Sequence, residues 1–519
     1  MVLPIQQALS SIESLKADSL AEGTETIRLS VNNELDGERR SAMGQFMTPL
    51  ATAKLMASMF DDLTGDIHLL DAGAGVGSLT AAFVEEACNR QTKPDAITAN
   101  TYELEPVMVD ALEVTTRLCR ETCEQVGIGF KATLFEEDFI QHATSILMGD
   151  LFKKRSNLRF NRAILNPPYS KINSNSTTRQ QLRSVGIETS NLYTAFVALT
   201  ILLLDDGGEL VAITPRSFCN GPYFKPFRDL LLKQMSIKQI HIFESRNKAF
   251  KGDSVLQENV IIHAVKAKTN GKILISSNAC AEDTHIARRY AKRNEVIIPN
   301  DPERFIHIAT SDKEGKTAAL ARSLPCSLED LNVQVSTGRV VDFRATEHLR
   351  MTPDKSTVPL IYPRNFEDGF VTWPKDGGRK PMALFACEET DDLMVPSGIY
   401  VLTKRFTSKE ERRRVVAAIY DPKRIKARQI GFENHLNYFH TNRNGLAMSF
   451  AKGLTLFLNS SLVDNYFRQF NGHTQVNATD LRSLRYPTIE QLNKMGKRVK
   501  QHLPDQACID RIIEAVLFN

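Results

Sequence analysis

Leu69-Leu70-Asp71-Ala72-Gly73-Ala74-Gly75-Val76-Gly77 opens on an apolar run, meets a carboxylate and breaks into three glycines. The stretch Ser78 to Arg90 follows at once, with apolar residues at helical spacing. This is the pattern of a strand, a tight turn and a helix. Glycine is needed there because it turns without a Cβ penalty and lets backbone approach a ligand closely. The spacing is G-x-G-x-G, not the G-x-G-x-x-G that seats a pyrophosphate on a helix N-terminus. Asp71, just ahead of the first glycine, would repel a phosphate and attract a cation. S-adenosylmethionine carries an ammonium and a sulfonium and no phosphate, so both departures favour it over a dinucleotide. The plain alternative is a glycine turn with no ligand.

Working outward, a helical stretch at Ala51–Phe60 precedes this unit. After it come a strand at Ala96–Glu103, a helix at Pro106–Val126 and strands near Lys131–Phe135 and Arg162–Leu165. A helix at Leu192–Leu204, a strand at Glu209–Thr214, a helix near Phe224–Gln234 and strands at Ile237–Phe243 and Val260–Lys266 complete the pattern. Strands alternating with helices predict a doubly wound, Rossmann-like α/β sheet, mostly parallel. Ligands of such sheets sit at the carboxyl ends of the strands. The second strand ends in Tyr102-Glu103-Leu104-Glu105, and either acid is placed to accept from ribose hydroxyls. The third is followed by Asp138-Phe139, a carboxylate for an adenine amino group beside a ring for its face.

The fourth strand runs into Asn166-Pro167-Pro168-Tyr169. Two prolines remove two donors and fix two φ angles, leaving a rigid shelf that offers an amide, carbonyl oxygens and one ring. Such a shelf suits a flat, amino-bearing substrate. An exocyclic amine on an aromatic base is a poor nucleophile because its lone pair is delocalised. Two acceptors on its N–H bonds, the Asn166 side-chain oxygen and the Pro167 carbonyl, would free that pair without a strong general base. Pro168 completes the shelf and Tyr169 would stack on the base.

The order Gly44-Gln45-Phe46-Met47-Thr48-Pro49, Asp71 to Gly75, Glu103, Asp138-Phe139 and Asn166 to Tyr169 resembles the gamma class of N6-adenine DNA methyltransferases. These are typically modification enzymes of Type II restriction–modification systems. The resemblance covers roughly residues 40–265 and continues more loosely to the C-terminus. It implies an S-adenosylmethionine-dependent methyltransferase fold with a C-terminal mixed α/β target-recognition domain. It further implies that Thr48 and Pro49 lie against the methionine end of the cofactor, and that Glu103 rather than Glu105 holds the ribose. Asp71, Gly73, Gly75, Gly77, Asp138 and Phe139 complete the implied cofactor set. Phe250 would meet the base opposite Tyr169. The adenine must be flipped out of duplex DNA to reach the shelf. A cognate endonuclease acting separately is the implied partner.

Composition agrees with a globular chain of several domains: 519 residues, 42% hydrophobic and 24% charged. No apolar stretch is long enough to span a bilayer and the opening residues do not read as an export leader, so a cytoplasmic protein is expected, and it is read as a monomer. The eight cysteines form no CxxC pair and no metal site is expected. Charge is unevenly placed: residues 331–519 carry 28 Lys and Arg against 20 Asp and Glu, while the rest is slightly acidic. A basic C-terminal half points to a polyanion. We expect a helical lead-in over 1–40, a catalytic domain over 41–270, a connecting region over 271–330 and target recognition over 331–519. Residues Ser170–Ser190 read as a polar loop and Ser311–Lys316 as a charged linker. Candidate DNA contacts are Arg339, Arg344, Arg364, Lys404, Arg405, Arg412–Arg414, Lys423–Arg428 and the stretch Gly472–Asn477. His435 and His440 read as polar packing rather than metal ligands. Three other readings share parts of this pattern: a protein glutamine N5-methyltransferase, a non-catalytic DNA-binding subunit and a fused methylase–nuclease.

Overall fold

The structure, a computed structural model, describes residues 19–34, 47–149, 158–243, 258–283, 285–375 and 377–518. The chain forms two compact units that meet between Thr310 and Ser311 in the sequence. Among the described residues no helix is long and apolar enough to cross a membrane.

The first unit is built on one nine-stranded sheet. Its strands are β1 (Gly65–Ala72), β2 (Pro94–Tyr102), β3 (Gly129–Phe135), β4 (Phe160–Leu165), β5 (Leu204–Pro215), β6 (Ser236–Phe243), β7 (Asn259–Val265), β8 (Ile273–Asn278) and β9 (Ala287–Ala291). The order is β3-β2-β1-β4-β5-β7-β6-β8-β9. Strands β3 to β5 are parallel, and β7 inserts antiparallel between β5 and β6. The chain moves outward from β1 to β3, then restarts beside β1 with β4. A crevice therefore opens at the carboxyl ends of β1 and β4. β8 and β9 extend the sheet past residue 270, where the sequence pattern ends its regular alternation.

Helices cover both faces: α1 (Leu20–Glu34), α2 (Leu50–Ala57), α3 (Ser78–Asn89), α4 (Pro106–Gln125), α5 (Phe139–Met148), α6 (Thr177–Ser184), α7 (Leu192–Leu203) and α8 (Lys225–Gln234). Alternate strand residues serve opposite layers. Leu70, Leu165 and Leu210 join the core against α5, α7 and α8. Leu69, Ile164 and Val211 join the core against α2, α3 and α4. Such continuously apolar strands are what a sheet buried on both faces requires. In the middle of the sheet, buried Glu209 of β5 accepts from the Asp61 backbone (2.9 Å) and faces His263 Nε2 of β7 at 2.8 Å.

Two expectations are corrected. The polar loop 170–190 contains α6, capped by the Ser176 hydroxyl, with Leu182 as its buried anchor. Its Arg179 and Arg183 both pair with Glu188. The charged linker at 311 opens a helix, Asp312–Arg322, capped by Ser311 and carrying Asp312 and Glu314 in its first turn. Acids there complement the helix dipole, and only one side of so short a helix needs apolar residues.

The second unit holds a six-stranded and a five-stranded sheet made of short strands. Helices Met448–Leu458 and Ile489–Gly496 pack closely against each other. Their crossing is lined by glycine: a Cβ on Gly453 would lie 1.9 Å from the Leu492 carbonyl oxygen, and one on Gly496 1.8 Å from that of Ser449.

Candidate active site

The glycine turn after β1 adopts the conformation its composition demands. Gly73, Gly75 and Gly77 have φ of 77°, 57° and 86°. The Gly73 and Ala74 N–H groups both donate to the Tyr102 carbonyl at the end of β2. Gly77 starts α3 against α4, where a Cβ would stand 2.8 Å from both Leu112 and Thr115 side chains. The turn forms the floor of a cleft of about 850 Å³, partly open to solvent.

Glu103 faces this cleft and also braces it. One carboxylate oxygen accepts from Gly75 N at 2.9 Å, the other from Leu104 N and Glu105 N at 2.8 and 2.9 Å. Burial raises its proton affinity, and the three backbone donors oppose that rise. Glu105 instead stands at the N-cap of α4, outside the cleft. Asp138 lines the cleft and caps α5, accepting from Gln141 N at 3.0 Å. Phe139 lines it too, 5.1 Å from the Phe196 ring and 5.0 Å from Tyr102.

The shelf closes the other side. Asn166 and Pro168 line the cleft, and Pro167 is buried between them. The Asn166 amide is held at both ends. Its Nδ2 donates to Thr48 Oγ1 at 3.0 Å, and its Oδ1 accepts from the Tyr169 hydroxyl at 3.1 Å. Thr48 is itself positioned from α1, because Glu25 accepts from the N–H of Leu50 two residues on. Pro49 caps α2. The Tyr169 ring is only 8% exposed and meets Tyr193 edge-on at 6.2 Å. A phenol buried this deeply needs a hydrogen-bond partner, and Asn166 supplies it. Phe250 and the segment Gly44–Phe46 lie outside the described residues.

Asp71 does not line the cleft. It is fully buried behind the turn, where Oδ2 accepts from Thr80 at 2.7 Å and Oδ1 has no hydrogen-bond partner among the described residues. Burial pushes its carboxyl up to about 7, against the pull of the Thr80 hydrogen bonds. The folded chain therefore keeps a proton that the unfolded chain loses near pH 4, and stability drains away as pH rises from about 4 through 7. Asp71→Asn removes this slope. Relative to the parent protein, the variant should gain up to about 4 kcal/mol between pH 4 and 8 in denaturant unfolding without cofactor. Parallel pH profiles for the two proteins would contradict it.

Sequence reasoning missed several cleft residues: Met47, Ser78, Tyr102, Met108, Glu137 and Phe196. Ser78 had a readable signal, being the first helical residue after the glycines. Its buried hydroxyl has no partner among the described residues. Phe196 had none, since it sits in an apolar helix that reads as core.

A family model described as "Eco57I restriction-modification methylase" matches residues 108–250. The Type II methyltransferase M.PstI of Providencia stuartii is 48% identical over 95% of this chain and 96% of its own length. M.BsuBI of Bacillus subtilis, also a Type II methyltransferase, is 44% identical over 96% of this chain and 98% of its own. The chain belongs to the Type II methyltransferases. The Type IIL restriction-modification enzyme MmeI, solved in complex with DNA, shares the fold at 12% identity, with a TM-score of 0.53 over 98% of this chain and 75% of that one.

The cofactor of this Type II methyltransferase is S-adenosylmethionine, and the cleft fits it. Glu103 lines it with a carboxylate that would hold a ribose diol. Phe139, Tyr102 and Phe196 form an aromatic wall for an adenine. The Ser78 hydroxyl, unpartnered among the described residues, lies in the first turn of α3, whose N-terminus favours a carboxylate, and Thr48 lines the same cleft. Among the described residues no Lys or Arg lines the cleft to serve a phosphate.

In the second unit the basic residues divide. Arg414 is buried and donates to Asn471, Thr407 and the His473 carbonyl. Its neighbour Arg413 reaches the Asn459 carbonyl. Arg364 donates to the Lys375 carbonyl and Arg424 lies over the Phe370 ring. Arg412 is exposed. His440 is buried between Ser336 and the Arg443 N–H, in keeping with polar packing.

Proposed function

We propose that this Type II methyltransferase methylates N6 of an adenine flipped out of a specific duplex DNA site, with the second unit recognising the target. The observation that carries this reading is the Asn166 amide, pinned by Thr48 at the mouth of the cofactor cleft. In the proposed reaction Asn166 Oδ1 and the Pro167 carbonyl accept the two N6–H bonds. The adenine amino group takes the place of the Tyr169 hydroxyl at Asn166 Oδ1. The freed N6 lone pair forms the N–C bond as the methyl–sulfonium bond breaks, and a proton leaves N6 for solvent. When bound, S-adenosylmethionine supplies the methyl group and departs as the neutral thioether. Positioning and directed dipoles do the catalytic work, consistent with a shelf that carries no general base. The excess of basic residues over 331–519 supports DNA as the polymer.

The experiment is transfer of labelled methyl to duplex DNA, followed by nucleoside mass spectrometry. N6-methyladenine is the expected product. Label found on cytosine, or only on protein glutamine, would overturn the reading.

A further inference from the structure

Three segments far apart in the chain meet on one exposed patch of the second unit. The Val476 N–H donates to the Arg405 carbonyl at 2.7 Å, and the Thr407 N–H to that of Thr474 at 3.0 Å. These bonds set Phe406 opposite Gln475. The Arg405 N–H donates to the His435 carbonyl at 2.8 Å. As a result the Phe406 and His435 rings lie 4.8 Å apart, with the Arg405 guanidinium 5.7 Å from the Phe406 ring.

His435 is held in an unusual way for a surface residue. Its side chain is 47% exposed, yet its Nδ1 lies 2.5 Å from Oε1 of Glu433, which is 1% exposed. The second oxygen of that carboxylate accepts from the His435 backbone N–H at 2.9 Å. Burying a carboxylate is unfavourable unless it is well partnered. Here one oxygen of the buried Glu433 orients the half-exposed imidazole, and the other holds the backbone that carries it. The imidazole Nε2 has no hydrogen-bond partner among the described residues. Beside it, Phe406 is 40% exposed, Thr474 is exposed and Gln475 is half-buried. A stiffened hydrogen-bonding edge, an exposed ring and an amide, on a unit with excess positive charge, together match what base edges in a groove require.

We propose that His435 and Gln475 are specificity-determining residues that contact base edges of the DNA target, with Phe406 packed against the neighbouring nucleotide and Glu433 as the positioning residue for His435. This rests on the DNA-methylation reading above, and the wild-type assay separates the two. Loss of DNA methylation by the wild-type protein would sink that reading. An active wild-type protein whose folded variants discriminate sites as it does would sink the assignment of His435 and Gln475 alone.

The test compares His435→Ala, His435→Gln, Gln475→Ala and Glu433→Gln. The readouts are kcat/KM on the native duplex, kcat/KM on duplexes with single base-pair changes, S-adenosylmethionine affinity and melting temperature. His435→Ala and Gln475→Ala should each lose roughly tenfold to a hundredfold on the native site. They should lose much less on one class of altered site, so that discrimination at that base pair collapses. Cofactor affinity stays unchanged. Glu433→Gln should raise KM for DNA more than it lowers kcat. His435→Gln keeps a side-chain donor and should retain more activity than His435→Ala. Folded His435→Ala and Gln475→Ala variants with native kcat/KM and native site discrimination would overturn the proposal. So would equal losses on every duplex, which would mark a phosphate contact or a structural role.

Discussion

Asn166→Ala should abolish methyl transfer to DNA while leaving S-adenosylmethionine binding near the native affinity. The truncation removes an acceptor from the reacting amine and leaves Glu103 and the aromatic wall of the cofactor cleft in place. Removing a single directed dipole from a reaction centre typically costs about a hundredfold to a thousandfold in kcat. Here the amide also fixes the shelf, since it joins Thr48 to Tyr169, so a loss of at least about a thousandfold is expected. Glu103 and the glycine turn follow β2 and β1, not β4, and keep the hydrogen bond from Gly75 N–H to the Glu103 carboxylate. Calorimetric titration with the cofactor therefore serves as the internal control. Thr48→Val should show the milder form of the defect. It preserves shape but deletes the partner of Asn166 Nδ2, and should lower kcat about tenfold with Thr48→Ser largely restoring it. An Asn166→Ala enzyme that methylates DNA at a native rate would rule out this chemistry.

The largest loss of stability should come from Gly453→Ala or Gly496→Ala. In each case the new Cβ would collide with a backbone carbonyl oxygen, at 1.9 and 1.8 Å respectively. A flexible side chain could swing aside, but a helix backbone cannot. The helices must separate, which breaks the 2.6 Å hydrogen bond between Ser449 and Asn493 and opens the core behind Leu454 and Leu492. Overpacking of this kind costs about 3 kcal/mol. The effect should be confined to one part of the chain. A calorimetric scan is expected to show the transition of the C-terminal unit moving down while that of the cofactor-binding unit stays in place. Cofactor affinity measured below the first transition should be native. An unchanged scan would show that the crossing yields more easily than its geometry implies.

Much of the first unit was legible because its signals are local. A glycine that must take positive φ, a carboxylate at a strand end and two prolines after a strand each constrain their own neighbourhood. Their meeting place then follows from the handedness and order of a doubly wound sheet. What escaped were relations between distant residues. The depth of Asp71 depends on Thr80 and on the strands beside β1, and an acid next to glycines looks the same whether it faces a ligand or the core. Phe196 reads as one more apolar residue in a buried helix until Phe139 is placed across from it. α6 has a single buried side chain, Leu182, so hydrophobic periodicity could not reveal it. The helix at Asp312–Arg322 did carry a readable cap, but its charges mimic a linker. In the second unit the strands are two to five residues long, too short for any period to register.

The reversed strand β7 has a consequence for how this enzyme can change. Val260 pairs with Ile242 of β6, and Asn259 with Pro215 at the end of β5. Both roots of the connection from Phe243 to Asn259 are therefore anchored in the rim that carries Asn166. Lengthening an anchored connection is thermodynamically cheap, about 0.6 kcal/mol for each doubling. Insertions or exchanges there would leave the glycine turn, the shelf and every strand pairing intact. In an all-parallel sheet a connection from strand to strand must cross to the far rim, and only the strand-to-helix loops vary on the near one. The reversal thus adds one strand-to-strand connection to the loops that can vary on the rim of Asn166.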